Sequence, residues 1–99
     1  MKKAKKMTVE VSIPVIFMRE GKKIVAFSPA LDVATSADTF ELAKKRFEES
    51  VEIFFEELIN LGTLEEVLAE LGWEKTRGAW EPPTIIGQDS EAVQVPVPA

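Results

Sequence analysis

The 99-residue chain has no cysteine, no histidine and no tyrosine. Without cysteine it can have neither a disulfide framework nor a thiolate metal site. Without histidine it has no imidazole base for a serine or thiol nucleophile and no imidazole zinc ligand. Long apolar runs are missing as well. Nothing approaches the roughly 18 consecutive apolar residues of a membrane span, and the basic start is not followed by the apolar core of a signal peptide. Carboxylates, lysines and a few hydroxyls remain for chemistry. A two-metal nuclease would need several acids converging from different elements, strands included. The alternating segment near the start offers only Glu10, on its polar side, and Asp32 reads as a turn or strand-edge carboxylate. The composition thus predicts no catalytic residue, no metal site and no cofactor. The expectation is a non-enzymatic, cytoplasmic protein with no membrane partner.

At 11.0 kDa, with 45% hydrophobic and 29% charged residues, the chain is sized for one domain with a small core. Its net charge of −5 is unevenly spread. Residues 1–24 carry seven basic and two acidic side chains, whereas residues 25–62 carry three basic and eight acidic ones. Residues 63–99 add two basic and seven acidic side chains. This balance disfavours nonspecific binding to phosphates. The exception is residues 1–7, with Lys2, Lys3, Lys5 and Lys6, which read as a solvated terminal arm or, alternatively, as an arm touching nucleic acid. Residues 8–81 form the expected core domain, and residues 82–99 a proline-containing tail.

Residues 8–18 alternate. Val9, Val11, Ile13, Val15 and Phe17 share one face, which predicts a half-buried strand, and Pro14 places it at an edge or a bulge. Ile16 and Met18 make its far end apolar on both faces. Gly21 marks a hairpin turn into a return strand over residues 24–28, and a third strand is expected around residues 32–35. Asp38 and Glu41 have capping-box spacing ahead of a long helix ending near Leu61. Phe40, Phe47, Val51, Phe54, Leu58 and Leu61 form its apolar stripe, with Ala43 and Ser50 as small residues on the same side. Gly62 fits the position after a helix end. Thr63 and Glu66 have the spacing of a second capping box, before a short helix ended by Gly72. Trp73 and Trp80 bracket a small hairpin and read as packing on each other or covering the rim of the core. Val93, Val95 and Val97 alternate with Gln94 and Pro96 as a C-terminal edge strand.

Two interaction surfaces follow. The outer face of the long helix carries Glu48, Glu49, Glu52 and Glu56 with no intervening cation. It reads either as a solvated face or as an acidic docking surface for a basic partner; on the second reading these four residues bind the partner. Val93, Val95 and Val97 are expected to serve as a contact in a homo-oligomer, most simply a dimer, with an intrachain edge strand as the alternative.

The order Ile24-Val25-Ala26-Phe27-Ser28-Pro29-Ala30-Leu31-Asp32-Val33-Ala34, followed by Ser36-Ala37-Asp38-Thr39-Phe40-Glu41-Leu42-Ala43, resembles the HicB-like family. In that family an aromatic and small-residue strand runs into a Pro-x-Leu segment, a short strand and an amphipathic helix opened by Asp-Thr. The resemblance spans roughly residues 9–71. It implies an α+β, partial RNase-H-like fold, a three-stranded antiparallel sheet with one long and one short helix on one face. It also implies an antitoxin that binds and blocks a small basic RNA-cleaving toxin, HicA. Ala37 stands where the family usually has glycine. The helical DNA-binding part of full antitoxins is not matched: residues 72–99 include four prolines and end in the expected strand. The chain therefore looks like a short standalone subtype for which DNA binding is not expected.

Overall fold

A computed structural model describes residues 9–98. The elements run β1 (Ile16–Glu20), β2 (Lys23–Ser28), β3 (Val33–Ala37), α1 (Phe40–Leu61), α2 (Leu64–Glu70), β4 (Glu74–Thr76) and β5 (Ala79–Glu81). The fold is α+β. Strands β1, β2 and β3 form an antiparallel meander in that spatial order, and β4 pairs with β5 in a separate hairpin.

Glu20 pairs with Lys23, so Gly21 and Lys22 alone make the first turn. Gly21 sits at φ 62°, the left-handed region that a two-residue hairpin asks of its first turn residue. The β4–β5 turn is sharper in its demand, because both Arg77 (φ 52°) and Gly78 (φ 81°) are left-handed. Asp32, exposed at φ 55°, occupies the turn between β2 and β3, in keeping with its reading as a turn carboxylate.

Cross-strand pairing decides which side chains share a face. Phe17, Ala26 and Thr35 are aligned, and Ile24 lies opposite Ala37. This face meets α1. Ala26, Ala37, Ala43 and Phe47 are buried together there, and the small alanines let helix and sheet approach closely. A second cluster joins Ala30 and Leu31 of the β2–β3 turn to Leu68 and Trp73. Trp73 donates its indole N–H to the Ala30 carbonyl at 2.8 Å and meets Phe55 edge-on, ring centroids 6.0 Å apart. Trp80 packs half-buried on the same cluster, so both tryptophans belong to the core and its rim.

Several boundaries differ from the sequence reading. Of the alternating segment over residues 8–18, only residues 16–18 lie in a strand, β1, which runs on to Glu20; residues 9–15 carry no regular structure. The reason is the length of the partner: Ile16 already pairs with Phe27, and β2 ends one residue later at Ser28. Thr39, not Asp38, caps α1, accepting a hydrogen bond from the Leu42 N–H on its side chain. Asp38 is drawn instead to Lys23, at 2.6 Å. Thr63 makes no side-chain cap for α2. Gly62 takes the left-handed conformation (φ 68°) expected after α1. In the apolar stripe, Ala43, Phe47 and Leu58 are buried, but Phe40 and Leu61 at the helix ends are exposed. The expected C-terminal strand is also absent. Residues 82–98 carry no helix or strand, and Val93, Val95 and Val97 are exposed.

Candidate functional site

A groove of about 620 Å³ runs between α1 and the chain leading into β1. One wall is the alternating row Val9, Val11, Ile13, Val15 and Phe17; the other is Phe40, Phe47 and Val51 of α1. The alternation read from the sequence is therefore real, but it lines a groove rather than extending the sheet. Phe17 and Phe40 close one end, with ring centroids 4.4 Å apart. The groove is open and shallow, unlike the enclosed pockets that hold small ligands.

Charge sits on its rim. Among the described residues, Glu10, Glu48 and Glu52 stand there with one cation, Lys44. Glu48 and Glu52 lie one turn apart on α1 and so point the same way. Of the four acidic residues expected to meet a partner, these two line the groove. Glu49 and Glu56 are exposed on α1 but do not line it. The sequence could not have revealed that the glutamates flank an apolar floor, because the floor is completed by residues more than thirty positions away.

The outer face of the sheet is also apolar. Ile16 is aligned with Phe27, and Met18 with Val25; Ala34 follows across β3. Ile16, Val25 and Phe27 are half-buried, while Met18 and Ala34 are exposed, and no helix covers this face among the described residues. The two sheet edges differ. On β3 the Arg46 guanidinium donates to the Ser36 carbonyl at 2.9 Å, engaging one backbone group of that edge. No such side-chain bond reaches the β1 backbone among the described residues.

The remaining titratable chemistry is sparse. The Lys23 hydrogen bond, reinforced by its charge, holds the Asp38 carboxyl below its ordinary value of 3.8. No group of three or more acidic side chains is placed to hold a metal ion among the described residues. No helix among them is long and apolar enough to cross a membrane. The Lys2–Lys6 arm lies outside the described residues. Val93, Val95 and Val97 are exposed and lie in no helix or strand.

No family model, no curated protein and no solved structure matches this chain.

Proposed function

We propose that the chain is a non-enzymatic protein-interaction module of the HicB-like antitoxin type, whose role is to cover a small basic ribonuclease. The observation that carries the reading is the groove: an apolar floor left open to solvent, with Glu48 and Glu52 on its rim. Uncovered apolar surface edged by three carboxylates against one cation, Lys44, among the described residues fits a protein partner of net opposite charge. The apolar floor supplies contact area, and the glutamates steer approach. A basic ribonuclease seated there has its RNA-binding cations engaged by carboxylates and its substrate excluded. The chain works in the cytoplasm, associates with itself, most simply as a dimer, and does not bind DNA.

Paired capture from the native cell tests this. The wild-type chain and its Glu48→Lys/Glu52→Lys variant serve as baits, and bound proteins are quantified by mass spectrometry. The reading predicts a small basic protein retained by the first bait and depleted on the second. Equal recovery on both baits, or recovery of acidic partners only, contradicts it.

A further inference from the structure

We propose that two copies of the chain exchange their C-terminal segments, residues 91–97 of each seating along the free edge of β1 and over the adjacent groove of the other. The inference deepens the self-association in the reading above; the seated segment takes the same groove as the proposed ribonuclease, which therefore docks by displacing it.

Four observations lead to it. The first is that the segment has the chemistry of a strand and no place in its own chain. Val93, Val95 and Val97 are 70, 71 and 81% exposed, no tail residue lines the groove, and none pairs with the sheet. The chain measures 66 Å along its longest axis against 31 and 26 Å across. Its radius of gyration is 17.2 Å, where a compact chain of this length would have about 13 Å.

The second observation is the receiving edge. A β-sheet edge offers unpaired N–H and C=O groups to an added strand. At the β3 edge Arg46 engages the Ser36 carbonyl, whereas no side-chain hydrogen bond reaches the β1 backbone among the described residues. Added strands of this kind gain backbone hydrogen bonds whatever their sequence and are selected by alternate side chains.

Proline placement is the third. Successive residues of a strand present their backbone groups to opposite sides. Pro96 alternates with Val95 and Val97, so it falls on the same side as Ala92 and Gln94. The backbone groups of all three valines can therefore face β1 while Pro96, which has no N–H, faces solvent.

The fourth is area. Val9, Val11 and Phe40 of the groove are 88, 37 and 48% exposed. With the three valines they leave roughly 600 Å² of apolar surface open, so reciprocal exchange covers on the order of 1,200 Å², the lower limit for stable interfaces. A single seating in one chain covers half of that. The tether from Glu81 to residue 91 can span about 30 Å, enough to cross to a neighbour.

The absence of native cysteine gives a clean test. One chain carries Val95→Cys, a second, differently tagged chain carries Val11→Cys, and the two are mixed and treated with a short bifunctional maleimide. Light scattering of full-length protein and of a chain lacking residues 88–99 runs in parallel, with circular dichroism to confirm that the shortened chain is folded. The proposal predicts a full-length dimer, a monomeric truncation, and a crosslinked product joining the two tags. A dimer that survives truncation overturns the exchange but leaves self-association standing. A full-length monomer at tens of micromolar overturns both. Either result decides only whether the tail must leave the groove before a ribonuclease docks; the ribonuclease reading itself stands or falls on the paired capture.

Discussion

Removing the indole N–H of Trp73 while keeping an aromatic ring, as in Trp73→Phe, leaves the buried Ala30 carbonyl without its 2.8 Å donor. Such an orphan costs about 1–3 kcal/mol, so thermal or urea unfolding should report a loss in that range. Phe47→Ala empties a fully packed site between α1 and the alanines of β2 and β3, and should cost about 3–5 kcal/mol. Phe54 is only half-buried, so Phe54→Ala should cost less than Phe47→Ala in the same denaturation series. Ser28 behaves in the opposite way. Its hydroxyl is buried with no hydrogen-bond partner among the described residues, so Ser28→Ala should be neutral or should stabilise by about 1 kcal/mol. Asp38 gives a pH signature. Lys23 depresses its carboxyl in the folded state, so its contribution is present above 3.8 and is lost as pH falls through the lower folded value. Asp38→Asn should flatten the acid limb of stability against pH. At neutral pH it should change little, because both partners are largely exposed. The sequence marked Phe47 and Ala43 as inward-facing because helical periodicity survives folding. It could not rank Phe47 above Phe54, since that depends on where the sheet ends beneath the helix.

The elements teach the same distinction between pattern and partner. Alternation shows which side of an extended segment is apolar; it does not supply the neighbouring strand. Residues 9–15 alternate and line a groove instead, because β2 is too short to pair with them. The three-stranded meander, the long and short helices and the tryptophan hairpin were legible because turns and helix ends are written in local residues such as Gly21, Gly62 and Gly72. The caps were less so. Asp38 and Thr39 are both good N-cap residues, and the choice falls to a tertiary contact, the pull of Lys23 on Asp38. Thr39→Ala should therefore cost about 1 kcal/mol of stability, more than Asp38→Asn at neutral pH. Thermal denaturation of the two variants side by side checks this order, and the reverse order would return the cap to Asp38.

At the scale of the whole molecule, a small core sits beside a large share of uncovered apolar surface. The groove, the outer face of the sheet and the valine row all lie open in the single chain. Such surface is costly to leave in water, and in a binding protein it is the part that partners cover. The acidic rim predicts how a basic partner approaches. Reversing Glu48 and Glu52 to Lys should lower the association rate and flatten its dependence on salt, with a smaller effect on dissociation; stopped-flow mixing at several ionic strengths measures both. Sequence alone identified the glutamate row, but not the apolar floor beside it on which the proposed docking rests.

The central claim is that the chain acts by covering a basic ribonuclease and cleaves nothing itself. Its most direct test is RNA cleavage by the captured basic protein, titrated with purified chain in the presence of Mg²⁺. The account predicts cleavage that falls in proportion to added chain and ceases at stoichiometric binding, and none from the chain alone. Cleavage unaffected by saturating chain, or cleavage by the chain itself that disappears in an acidic-residue variant, would contradict it.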